Sequence, residues 1–151
     1  MGTTGSTKYV GNNQRLVGDN RFLTGNGQFI DDISLPGMVH MAVLRSPYPH
    51  AAIINVDLKN VRESPLCIAA INGQEAAETT NPMPHRGNPS LIGGKTCDIR
   101  CLPIEKTVYA GEPIAAVVAH SRNDAEAILS LINVQYKELP YLLDASDALA
   151  D

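Results

Sequence analysis

Several common signatures are missing from this 151-residue sequence, and each absence removes a class of function. There is no basic excess. Twelve Lys and Arg stand against sixteen Asp and Glu, for a formal net charge of -4, and the cations are scattered. That excludes the electrostatic footprint of a nucleic-acid or anionic-membrane binder. No apolar stretch approaches the roughly 20 residues that a membrane helix needs. Met1 to Lys8 is polar and rich in Gly, Thr and Ser, without the apolar run of a secretory signal, so a cytoplasmic protein is expected. Cysteine is scarce and odd in number, at three, which speaks against a disulfide framework and for reduced thiols.

Chemistry-bearing constellations are also lacking. Cys97-x-x-x-Cys101 has the spacing of half a zinc site, but only Cys67 and His85 are loose candidates for the other half. Two unrelated thiols are the simpler reading. The pair also falls outside the CxxC redox spacing. Gly93-Gly94-Lys95-Thr96 ends like a phosphate loop but lacks the leading glycine and a following helix, and Gly25-Asn26-Gly27 lacks the strand and later glycine of a dinucleotide fingerprint. Adjacent carboxylates such as Asp31 and Asp32 point to opposite faces of an extended chain, so they read as an exposed turn rather than an acid–base pair. His40 reads as a structural histidine in an apolar strand, and His120 as a surface residue. His50, following Pro49 at the start of a strand, is a candidate for a pocket rim or a partner interface. No metal, cofactor or catalytic residue is assigned to this chain.

What is present is an ordinary globular pattern, with 44% hydrophobic and 19% charged residues. Residues 1–20 read as an N-terminal arm and 21–151 as one domain. Met38 to Arg45, Ala51 to Asp57 and Leu66 to Ile71 read as strands, the last well buried, with short helical segments at Leu58 to Glu63 and Gln74 to Glu78. Ser46-Pro47-Tyr48-Pro49 stops the first strand, since each proline removes a ladder donor. Thr79 to Thr96 is rich in Pro and Gly and reads as a long loop of the kind that a partner orders. Ile114 to Ala119 reads as a buried strand, and Gly111-Glu112-Pro113 as the turn into it. Ser121 sits where an N-cap belongs, with Asp124 three residues on. Ala125, Ile128, Leu129 and Ile132 then mark one apolar helix face. Val134 to Lys137 closes a strand–helix–strand unit. Early strands plus one well-formed helix near the C-terminus define an α+β class with a mixed sheet.

Read in order, these segments resemble one known domain. Arg21 to Ile33 (RFLTGNGQFIDDI) is similar to the opening of the large subunits of the molybdenum hydroxylases, the family of xanthine dehydrogenase, aldehyde oxidase and aerobic carbon monoxide dehydrogenase. Leu35-Pro36-Gly37-Met38-Val39-His40 resembles its L-P-G pattern, and Arg45-Ser46-Pro47-Tyr48-Pro49-His50-Ala51 its R-S-x-x-x-H-A segment. Val108 to Ala119 looks like its V-x-x-x-G-E/Q-P strand, and Val134 to Pro140 its closing V-x-Y-x-x-L-P. The likeness runs from Lys8 onward.

The resemblance implies an α/β hammerhead domain. It also implies that this chain carries none of the family's cofactor or catalytic motifs, because those lie in the longer portion that comes after the domain. Molybdopterin or molybdopterin cytosine dinucleotide, [2Fe–2S] clusters and FAD are then expected on partner chains: a molybdopterin-binding large chain, with iron–sulfur and flavin subunits. The chain is expected to be either a natural subunit of a split enzyme or a fragment. As a structural and assembly subunit it should expose an apolar patch with a polar rim near the Arg45 to Ala51 loop. Arg45, Ser46, Pro47, His50, Gly111, Glu112 and Pro113 are the candidate interface residues. As an independent small-molecule binding domain it should instead carry a closed concave pocket. Catalysis by this chain alone would need a nucleophile and base in one pocket, and the sequence offers no such set.

Overall fold

A computed structural model describes residues 16, 18–84 and 99–149. The chain divides into two compact units, Met1–Gly37 and Met38–Asp151. In the first, a short helix α1 (Asp19–Leu23) ends at a turn where Gly25 adopts φ +73°. The Phe22 and Phe29 rings stack at 5.7 Å, and Gly27 fits beneath them because a Cβ there would lie 2.7 Å from the Phe22 ring. Asp31 and Asp32 lie in an exposed 3-10 turn (Ile30–Asp32), where the Asp32 carboxylate accepts from the Phe29 N–H at 2.9 Å.

The second unit holds β1 (His40–Arg45), β2 (Ala51–Asp57), α2 (Lys59–Glu63), β3 (Ala69–Asn72), α3 (Gly73–Thr79), β4 (Lys106–Thr107), β5 (Pro113–Ala119), α4 (Arg122–Leu129), β6 (Asn133–Glu138) and α5 (Ala145–Leu149). The α+β hammerhead class expected from the sequence is what the strands and helices form. The single mixed sheet is corrected. The described strands make two three-stranded sheets, β1-β5-β3 and β4-β2-β6, and all their pairings are antiparallel. The strand–helix–strand unit suggested a parallel pair, but β5 and β6 belong to different sheets, so α4 links sheets rather than neighbouring strands. From β1 to β6 the described strands alternate between the two sheets, and every connection crosses from one to the other.

The core lies on one face of the first sheet. There Ala42, Val117 and Ala119 pack with Val61 of α2 and with Ala125 and Ile128 of α4, joined at the edge by Cys67, Ala70, Leu129 and Ile132. The sequence-read helix face is therefore the core face, although α4 ends at Leu129 and Ile132 contributes from the turn beyond it. Ser121 caps α4 by accepting from the Asp124 N–H at 3.1 Å. A second cap starts α3: Asn72 accepts from the Glu75 N–H at 3.0 Å, and the Glu75 carboxylate takes the Asn72 N–H at 3.3 Å. Arg62 reaches the same carboxylate at 2.6 Å, and this hydrogen bond pulls Glu75 below the usual carboxylate range. β3 departs from its expected burial, since Ala69 and Ile71 are exposed and only the alternate positions face inward. The loop expected over Thr79 to Thr96 lies largely outside the described residues, as do Cys97 and His85.

Candidate functional site

The site begins with a bulge. β1 and β5 pair Leu44 with Ala115 and Arg45 with Pro113, so Ile114 is the extra residue. A bulge bends its strand and redirects the chain beyond it. Here the bend brings the Ser46-Pro47-Tyr48-Pro49 segment against the Tyr109 to Glu112 turn. Ser46 N–H donates to Glu112 O at 2.8 Å, and Gly111 N–H donates to Ser46 O at 2.8 Å. Gly111 has φ +90°, a region that favours glycine, and nothing lies within 4 Å of where its Cβ would be. It is therefore backbone conformation, not space, that asks for glycine at this turn.

Side chains finish the joint. Arg45 donates from Nη1 to Gly111 O at 2.9 Å, so this exposed cation closes a turn. The Glu112 carboxylate accepts from the Val108 N–H at 2.6 Å. Ser46 is buried, and its hydroxyl accepts from the Tyr48 N–H at 3.1 Å while lying 3.2 Å from Thr107 Oγ1. Thr107, fully buried, also reaches Tyr48 O at 3.2 Å. The two hydroxyls thus satisfy backbone that Pro47 and Pro49 prevent from pairing as a strand. Below them the Tyr48 and Tyr136 rings meet edge to face at 5.2 Å, and burial followed by the neighbouring Tyr48 pushes the Tyr136 phenol above its ordinary value.

Replacing Ser46 with Ala should leave the Tyr48 N–H unpaired and cost about 1–2 kcal/mol. Urea unfolding of the chain measures it. An unchanged midpoint would mean that water reaches this hydroxyl pair.

His50 is the polar member of an open groove. Its Nδ1 lies 2.7 Å from Pro140 O, and because a carbonyl only accepts, the proton at that contact belongs to Nδ1. In the neutral ring Nε2 is then an acceptor. Leu139 N–H also donates to His50 O at 3.0 Å, so the segment after β6 is held against the start of β2. The groove has a volume of about 810 Å³ and is otherwise lined by Pro49, Val108, Tyr109, Ala110 and residues 140–143. Tyr109, Tyr141, Leu142 and Leu143 remain 53%, 50%, 66% and 79% exposed, an apolar patch rather than a closed pocket.

All seven sequence-read candidates fall in or beside this joint. Arg45, Ser46, Gly111 and Glu112 interlock through hydrogen bonds, Pro113 faces Arg45 across the bulge, Pro47 is exposed, and His50 opens the groove. Residue reasoning missed Thr107 and Tyr141 to Leu143. β4 is two residues long and gives no periodicity, whereas the apolar run after Leu139-Pro140 was a usable signal.

Comparison with known proteins gives the family. The family model described as "Aldehyde oxidase and xanthine dehydrogenase, a/b hammerhead domain" matches residues 24–140. The chain belongs to this hammerhead family of the molybdenum hydroxylases. It is 31% identical over 121 residues to the carbon monoxide dehydrogenase large chain of Hydrogenophaga pseudoflava, covering 80% of this chain and 14% of that one. It is 35% identical over 124 residues to a probable xanthine dehydrogenase subunit of Bacillus subtilis, covering 81% and 15%. Quinoline 2-oxidoreductase from Pseudomonas putida 86 superposes with a TM-score of 0.77 at 36% identity, over 87% of this chain and 16% of that one. The chain thus spans about one-seventh of the length of these relatives.

Proposed function

We propose that this chain is the non-catalytic assembly part of a molybdopterin-dependent hydroxylase or dehydrogenase, and that it docks onto the cofactor-bearing polypeptide through the groove beside His50. The observation that carries this reading is the exposed apolar lining set next to a joint closed by several hydrogen bonds. Water-facing Tyr109, Tyr141, Leu142 and Leu143 are costly on a free surface and useful against a partner. In the neighbouring turn the hydrogen bonds of Arg45 to Gly111 O and of the Val108 N–H to Glu112 fix the backbone shape before any partner arrives. Preorganisation of this kind lowers the entropic cost of docking.

The groove does not fit the molybdenum cofactor. A pterin phosphate asks for cations or clustered N–H donors, and the lining offers neither Lys nor Arg. In this reading molybdopterin, [2Fe–2S] clusters and FAD sit on partner chains, with iron–sulfur and flavin subunits completing the complex, and no chemical step is assigned to this chain. Relatives carry the domain in chains of unequal length. One of them, the nicotinate dehydrogenase large molybdopterin subunit of Eubacterium barkeri, is covered to 31% by this chain at 30% identity, against 14% for the carbon monoxide dehydrogenase. That spread supports a family whose machinery is divided differently among polypeptides.

The test is assembly. Tyr109→Asp with Leu142→Asp places two charges in the groove at exposed positions that the fold does not use. The complex purified from its native source should lose this chain, with affinity down about 100-fold or more, as when central interface anchors are removed. The isolated variant should keep its circular dichroism and unfolding midpoint. A variant that assembles as well as the parent sinks the docking role of the groove, and a small-molecule site there becomes the reading to pursue.

A further inference from the structure

The first sheet has a second face. On the α4 side stand Ala42, Val117 and Ala119, which belong to the core. The opposite side is given by the register. Met41 faces Val118 and Val118 faces Ala69, while Val43 faces Ala116 and Ala116 faces Ile71. Residues directly opposite in a ladder share a face, so these six form one wholly apolar surface. It contains no polar side chain to satisfy water. Met41 is 67% exposed and Ile71 36%, Ala69 is exposed as well, Val43 and Val118 are half-buried, and Ala116 at the centre of the face is buried between its neighbours. An antiparallel sheet that ends at water normally alternates apolar inward and polar outward. Here both sides are apolar, which is the pattern of a sheet buried on both faces.

We infer that this face is a second docking surface, taking the apolar side of an amphipathic α-helix from the cofactor-bearing polypeptide. The inference rests on the assembly reading above and extends it to a separate surface. A face of this size cannot by itself hold two copies of this chain together. Three strands about 4.8 Å apart and four residues at about 3.4 Å give a face of roughly 200 Å². A stable dimer needs about 800 Å² from each partner. The same width, roughly 14 Å, suits one helix of about 10–12 Å diameter. The other face of these strands already takes a helix, α4, by way of the small side chains Ala42, Val117 and Ala119. Ala69 and Ala116 give the second face comparable room for close approach. The patch is too small to hold a partner by itself, so its occupant belongs to a larger interface. More than four-fifths of the length of the first relatives lies outside the match to this chain, and that is where such a helix comes from.

Hydroxyl-radical footprinting of the native assembly against the free chain tests this, read at Met41 and, in the same sample, at Tyr109 and Tyr141 of the groove. Met41 should be modified rapidly in the free chain and about tenfold or more slowly in the assembly, as expected for a side chain inside a packed interface. Shielding of the groove without shielding of Met41 overturns the second surface and leaves the first standing. Shielding of neither overturns both. The occupant is identified by photo-cross-linking from p-benzoyl-phenylalanine placed at position 41. Attachment to the cofactor-bearing polypeptide at sites three or four residues apart is the expected result. Attachment at alternate residues means a strand, and attachment confined to this chain, in the same or a second copy, means self-contact. Either outcome overturns the inference.

Discussion

Gly73→Ala should destabilise the chain by about 3 kcal/mol, because overpacking against backbone relaxes poorly. A Cβ at this position would lie 2.0 Å from Pro103 O, 2.7 Å from Pro103 C and 3.1 Å from Leu102 O. Those are main-chain atoms, and moving them displaces the whole segment. The competing effect has the opposite sign. Gly73 opens α3, and alanine is favoured over glycine within helices by about 1 kcal/mol. The clash outweighs that preference. The contact also has a place in the architecture. Gly73 directly follows β3 of the first sheet, and the Leu102–Pro103 segment leads through Glu105, whose carbonyl accepts from Ile53 N–H at 2.8 Å, into β4 of the second. Opening it loosens the path between sheets. Urea denaturation measures the loss, and at this chain length about 3 kcal/mol corresponds to a fall in Tm of roughly 6–12 °C. A variant that gains stability would show that Pro103 does not approach Gly73 in solution.

Ile128→Ala should be of similar size, about 3–4 kcal/mol, in the middle of the range for large-to-small core changes. Ile128 is 1% exposed and is the bulkiest side chain of its cluster, whose other members are Ala42, Val61, Val117, Ala119 and Ala125. Alanine and valine are short and stiff, so they cannot swing in to fill the space that isoleucine leaves. Total stabilities lie near 5–15 kcal/mol, so the variant is left with a thin margin. Leu129, one residue on, is only partly buried, and Leu129→Ala should cost distinctly less. Equal losses at the two positions would contradict the burial difference across this helix.

The sequence exposed the parts of the fold that are local. The Ser121 cap and the Ala125, Ile128 spacing marked α4 because a helix writes its buried face at fixed intervals. β2 was legible from Ala51 to Asp57 because its apolar run is bounded by Pro49 and by the Leu58 turn. Sheet membership was not legible. Nothing in Ile114 to Ala119 says that its neighbours are β1 and β3, since antiparallel partners are chosen by packing across long separations. The strand–helix–strand pattern suggests a mixed sheet, whereas the strands pair antiparallel in two sheets. At the site, the family-like Arg45 to Ala51 and Val108 to Ala119 segments located the joint. The features that join them, the Ser46–Thr107 hydroxyl pair and the bulge at Ile114, depend on register and stayed hidden. The apolar surface around Met41 was invisible for the same reason: it exists only once three distant strands are placed side by side.

The strict alternation of strands between the two sheets has a consequence for synthesis. Neither sheet can be completed from a contiguous stretch of chain. β2 ends at Asp57, but β6, its longer partner, begins only at Asn133. At about 5–20 residues per second, β2 waits roughly 4–15 s on the ribosome for that partner. For that interval Ile53, Ile54 and Val56 stand on an unpaired edge, the kind of segment that other nascent chains add to. Slowing elongation between those two points should raise the aggregated fraction, while the mature protein, with its late strand in place, would be unaffected.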